Sequence, residues 1–131
     1  MDDHPGVQRM RDYLARFGDG DVESVREFYS PDVLWHVGGY HSLSGDYRGQ
    51  DALMDYFRRV REMTGGTLRL QPRSILASDK YTSVFTQVQA ERDGRTLDVL
   101  MAQVFKVGPD GRWAEYWAVP EDQDHVDAFW S

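Results

Sequence analysis

The chain has 131 residues, 15 of them basic and 22 acidic, with a net charge of −7 and no cysteine. That length predicts a single domain, 1–131, with a core of its own, and the missing thiols exclude disulfides, thiolate nucleophiles and cysteine-ligated metals. The acidic balance excludes the dense basic patch that nucleic acid or an anionic membrane demands. No apolar run approaches the ~18 residues of a membrane span. The polar start, Met1-Asp2-Asp3-His4-Pro5, has no signal-peptide character, so the expectation is a cytoplasmic protein without nucleic-acid or membrane partners.

In chain order, Val7, Met10, Leu14 and Phe17 recur at helical spacing and predict a first amphipathic helix, with Tyr13 beside the stripe. Gly18-Asp19-Gly20-Asp21 breaks it, and Asp19 or Asp21 is placed to cap a second helix carrying Val22, Val25, Phe28 and Tyr29. That helix stops before Ser30-Pro31-Asp32. A short strand follows, Val33-Leu34-Trp35-His36-Val37, ended by Gly38-Gly39. Residues 40–49 read as a loop. A third helix spans 50–63 with Leu53, Phe57 and Val60 on its apolar face and Gly65-Gly66 as its stop. Its arginines, Arg58, Arg59 and Arg61, share the helix with Asp55 and Glu62, which reads as a solvated face.

The rest reads as strands. Residues 67–77 contain Pro72, which predicts an edge or a bulge. Residues 81–92 and 95–107 flank Asp93-Gly94, a strong hairpin turn. After the turn Gly108-Pro109-Asp110-Gly111, a last strand covers 113–119. The acidic tail ends in Phe129-Trp130, two rings that predict docking on the body. The order defines an α+β fold with helices on one face of a curved, mostly antiparallel sheet.

Four Trp, seven Tyr and six Phe exceed what a minimal core of this size needs. Such rings fill a core, line an apolar pocket or build a dimer face. Along 95–107, Leu97, Val99, Met101, Gln103 and Phe105 share one side of the strand, which isolates the Gln103 amide among apolar neighbours. It either grips a ligand carbonyl or bonds within the core. Tyr13 likewise reads either as a donor to a ligand or as a ring packed on Phe17. No phosphate loop, nucleophile elbow or zinc-type motif is present, so neither metal nor cofactor is expected.

The element order, the GDxD turn at 18–21 and the segments YSPDVLWH, SGDYRG and EYWAVPEDQDHVDAFW resemble the SnoaL-like branch of the nuclear transport factor two-like superfamily, from about Val7 to Trp130. The resemblance implies a cone: a strongly bent sheet wrapping three helices around an apolar pocket, often paired through the outer sheet face. It also implies roles. Tyr13 falls where ketosteroid isomerases carry a tyrosine that donates to the developing oxyanion. Their aspartate base would fall at Val37. Their second aspartate, like the histidine of polyketide aldol cyclases, would fall near Gln103, and the cyclase aspartate at Ala118. Neither general base is therefore present. A bulge or one-residue slip on the first strand would exchange His36 for Val37 at the base position, and imidazole titrates near neutrality.

The candidates implied are therefore His36, Tyr13 and Gln103 as catalytic groups. Trp35, Val37, Met101, Phe105, Tyr116, Ala118 and Phe57 are the expected substrate-binding wall. Trp113, Glu115 and Trp117, with Gln87 and Gln89, are expected on the outer face as a homodimer interface. The function implied is an isomerase, cyclase (lyase) or dehydratase without cofactor, acting on an apolar carbonyl-containing, polyketide- or steroid-like molecule. The alternatives are a non-catalytic binder of a hydrophobic small molecule and, further off, an epoxide hydrolase, which requires a carboxylate pair to activate water. Fold likeness alone does not choose among them.

Overall fold

The first apolar stripe forms α1 (Pro5–Gly18) in the computed structural model, which describes residues 3–131. Met1 and Asp2, part of the acidic start, lie outside the described residues. Pro5 occupies the first turn, where its missing N–H costs nothing, and His4 Nδ1 accepts from the Gly6 N–H at 3.0 Å. A 3₁₀ helix (Val22–Phe28) leads into β1 (Tyr29–Val37) and β2 (Gly45–Arg48), then α2 (Gln50–Thr64). Strands β3 (Arg69–Ala77), β4 (Tyr81–Arg92), β5 (Arg95–Val107) and β6 (Trp113–Pro120) follow, and α3 (Gln123–Trp130) ends the chain.

The six strands form one sheet in the order β2-β1-β6-β5-β4-β3. All neighbours are antiparallel except β1 and β6, which run parallel. Gly65 caps α2 in the left-handed conformation, φ 59°, as its position after the last helical turn requires. Asp93 and Gly94, φ 49° and 76°, make the tight reversal between β4 and β5. Pro72 lies on edge strand β3 beside a bulge, so both of its tolerated settings coincide. Among the described residues no helix is long and apolar enough to cross a membrane.

Four details depart from the sequence expectations. The second helix is 3₁₀, and Tyr29 is the first residue of β1, because Ser30-Pro31 draws the backbone into extended conformation one residue early. Asp21 stands at its N-cap position without a side-chain bond to the helix; its carbonyl instead receives the Ser24 N–H and hydroxyl. Residues 45–48, read as loop, pair with β1. The tail is helical, with Asp122 accepting the His125 N–H at 3.1 Å.

Alternation on β6 is broken by one extra residue. Val107 pairs with Trp113 and Lys106 with Glu115, so Ala114 has no partner in the β5 ladder. The bulge turns Trp113 to the concave side, where it is 1% exposed and meets the rings of Tyr13, Phe28 and Phe105. Trp113 is thus a core residue and no part of an outer face. Two apolar clusters fill the concave side: one between α1, α2 and the centre of the sheet, the other under α3 and the far ends of β4 and β5.

Candidate functional site

Between these clusters lies a cavity of two adjoining lobes. The lobe beside α1 and α2 has about 640 Å³ of empty space including its mouth; the lobe beside α3 has about 470 Å³. Trp35, Tyr56, Met101, Tyr116 and Trp130 line both. Tyr13, Phe57, Gln103 and Phe105 belong to the first lobe, Val37 and Ala118 to the second. The wall residues expected from sequence, with Tyr13 and Gln103 in the first lobe and His36 at the edge of the second, therefore border the same space.

The strand registers explain why. Trp35 pairs with Tyr116 across the parallel β1–β6 edge, and Phe105 with Tyr116 across β5–β6. Residues opposite one another share a face, so these side chains converge on the concave side. The Gln103 amide bridges two hydroxyls. Thr86 donates to its Oε1 at 2.7 Å, and its Nε2 donates to the Tyr116 oxygen at 2.7 Å. The Tyr13 oxygen accepts from the Tyr29 hydroxyl at 2.6 Å. Tyr13 and Gln103 are thus integrated into the core's own hydrogen bonding. Tyr13 also packs on Phe17, 5.9 Å between centroids, as the plainer reading of its helix position has it.

Burial pushes the phenols of Tyr13, Tyr29, Tyr56 and Tyr116 above the ordinary phenol range. They stay protonated at neutral pH and serve as hydrogen-bond donors or acceptors, not as bases.

His36 is placed differently. The irregularity in β1 falls before Leu34 and the register runs unbroken from Leu34 to Val37, so Trp35 faces inward and the His36 ring lies on the convex side. There its Nδ1 lies 2.7 Å from Asp46 and its Nε2 2.7 Å from Glu115, and the ring stacks against Trp117. Hydrogen bonds to Glu115 and then Asp46 raise its pKa above the usual 6.5. Its residue borders the α3 lobe, but both ring nitrogens are engaged by carboxylates on the other face. The structure does not bring it together with Tyr13 and Gln103.

Two cavity groups were missed by the sequence reading. Tyr56 lies on α2 one residue before Phe57, off the recognised stripe, yet it lines both lobes. His41 lies in the loop after β1, borders the α3 lobe, and accepts the Leu43 N–H at its Nδ1, 3.1 Å away. Burial lowers its pKa below 6.5, so it is neutral at pH 7 with its proton on Nε2. No periodicity marks a loop histidine; the helical stripe, read one residue wider, could have included Tyr56.

A sheet curved over helices around an apolar cavity is the architecture of nuclear transport factor two-like proteins. The chain belongs to the SnoaL-like domain family, whose model matches residues 10–116. A relative from Mycobacterium tuberculosis, the uncharacterized protein Rv0034, is 27% identical over the whole of both chains. Among solved structures, Bal32a from a soil-derived mobile gene cassette superposes with a TM-score of 0.89 at 30% identity, covering 95% of each chain. IdmH, a putative polyketide cyclase from Streptomyces antibioticus, shares the fold at a TM-score of 0.71 and 16% identity, over 90% of this chain and 93% of its own.

Proposed function

We propose that the cavity takes up an apolar, uncharged, carbonyl-bearing organic molecule of the polyketide or steroid kind, and that protonated groups on its wall polarise the carbonyl oxygen. The observation that carries this reading is the lining. It combines aromatic and aliphatic walls, the Gln103 amide and three phenols, and among the described residues neither lobe is lined by a lysine, arginine, aspartate or glutamate. A charged ligand would lose its hydration there without gaining a counter-ion. Neutral donors in a dry site stabilise charge that develops on a carbonyl oxygen, the requirement of isomerase, cyclase and dehydratase chemistry. IdmH, described as a putative polyketide cyclase, supports that substrate class by its shared fold. His41, neutral beside the α3 lobe with its Nδ1 taken by the Leu43 N–H, adds a further neutral donor there.

The second reading, a non-catalytic binding protein, draws on the same lining: Val37 and Ala118 border the cavity at the positions where the family resemblance implies carboxylates in related enzymes. Epoxide hydrolysis is disfavoured for that reason. A melting-shift screen with polycyclic ketones such as anthraquinone and androstenedione tests the shared premise, and a screen in which no ketone raises Tm would sink it. Deuterium exchange at the carbon next to the carbonyl of a bound ketone then separates the readings. Exchange in the parent protein supports an enzyme; binding without exchange supports a carrier.

We also propose a homodimer through the convex face. Leu76, Phe85 and Val119 are 68%, 48% and 69% exposed there, around the half-buried Trp117, Gln87 and Gln89. An apolar surface of this kind favours a second copy of the chain over water.

A further inference from the structure

Trp35 carries an unfinished hydrogen bond. Its side chain is 5% exposed, and its Nε1–H is buried without a partner. Buried N–H groups are nearly always paired, so an orphan on a residue that lines a cavity asks for an explanation. The ring cannot turn to find a partner. It is clamped flat against Tyr116, 3.4 Å between centroids, and edge-on to Phe57 at 5.2 Å. The indole acts on the Tyr56 hydroxyl, favouring its ionised form, without reaching hydrogen-bond geometry. Tyr56 is itself positioned by Trp35 at 6.2 Å and Tyr47 at 4.7 Å. Both side chains line both lobes.

Elsewhere on the wall hydrogen bonds join protein groups to one another: Tyr13 accepts from Tyr29, and Gln103 holds Thr86 and Tyr116, while the buried Trp35 donor has no bond. We infer that Trp35 Nε1–H and the Tyr56 hydroxyl form the corner that receives the ligand's acceptor oxygen, where the two lobes meet. This rests on the reading of the cavity as a binding site and locates its recognition away from Tyr13 and Gln103. Two neutral donors converging on one oxygen select a ketone or quinone over the hydrocarbon of the same shape, which leaves both unpaired. They select it also over a carboxylate, which finds no lysine or arginine among the described residues of this wall.

Three naphthalenes of nearly equal size test the corner: acetylnaphthalene, ethylnaphthalene and naphthoate, titrated into protein labelled with ¹⁵N at its indoles. Trp35→Phe identifies the Trp35 resonance by its disappearance. Acetylnaphthalene should bind about tenfold more tightly than ethylnaphthalene and move the Trp35 indole proton downfield, and naphthoate should bind weakest. The carbonyl stretch of the bound ketone should fall to lower frequency in the parent protein and recover part of the way in Tyr56→Phe, which keeps the ring. If ketone and hydrocarbon bind equally and the Trp35 resonance stays put, the corner is wrong while the cavity reading stands. If no naphthalene binds, both are overturned.

Discussion

The rings of Trp35 and Tyr116 lie 8° from parallel with centroids 3.4 Å apart, because β1 and β6 run side by side in the same direction and bring these two residues into register. The pair is one wall of the cavity and part of the core at once. Replacing Tyr116 by Leu removes the stacked face and should cost about 2–4 kcal/mol of stability. Tyr116→Phe keeps the ring but strands Gln103 Nε2, at a cost of about 1–2 kcal/mol. Urea unfolding followed by tryptophan fluorescence ranks the two; equal stability of parent and Tyr116→Leu would contradict the packing role.

Gln103 joins β4 to β6 through Thr86 and Tyr116. Gln103→Leu fills the space but leaves two buried hydroxyls without their partner, and should destabilise by roughly 1–3 kcal/mol. The double variant with Thr86→Val should recover part of that loss, since it removes one of the orphaned groups. A double-mutant cycle by chemical denaturation measures the coupling.

His36 predicts a pH dependence of definite sign. Its hydrogen bonds to Glu115 and Asp46 raise its folded-state pKa above the unfolded 6.5. The contribution is therefore complete below about pH 6.5 and is lost as pH rises through the folded-state pKa. His41 works in the opposite sense: burial lowers its pKa, so its site loses stability as pH falls through 6.5. Stability curves measured from pH 5 to 9 should lose their alkaline-side decline in His36→Phe and their acid-side decline in His41→Phe. Curves of unchanged shape would refute the respective assignment.

Trp113 and Phe85 separate core from surface. Trp113→Ala opens a cavity among Tyr13, Phe28 and Phe105, at a cost of about 3–5 kcal/mol. It should leave the oligomeric state of the folded fraction unchanged. Phe85→Glu with Val119→Glu should leave stability nearly untouched and yield monomers at micromolar concentration, read by light scattering. A parent protein already monomeric under those conditions would refute the dimer.

Much of the fold was legible because periodicity is local. Val7, Met10, Leu14 and Phe17, with Tyr13 beside them, lie on one side of a helix by spacing alone, and the hairpin at Asp93-Gly94 follows from the conformations those two residues tolerate. Strand β2 was not legible: Gly45-Asp46-Tyr47-Arg48 has no apolar alternation and pairs only because β1 offers it an edge. The 3₁₀ helix carries helical spacing, but its last turn gives way to the extended run that begins at Tyr29.

By itself the sequence determined the α+β architecture and the apolar character of the concave face. These follow from side-chain periods of two and 3.6, which the backbone imposes without regard to what lies opposite. Only tertiary structure decided which polar groups remain free. Whether Gln103 faces a ligand or a neighbour depends on Thr86 and Tyr116, brought to it from other strands. Which way Trp113 points depends on the one unpaired residue at Ala114. His36 meets Glu115, 79 residues further along the chain, only through the parallel pairing of β1 with β6. Hydrogen-bond partnership is set by contacts distant in sequence, and an isolated strand carries no record of them.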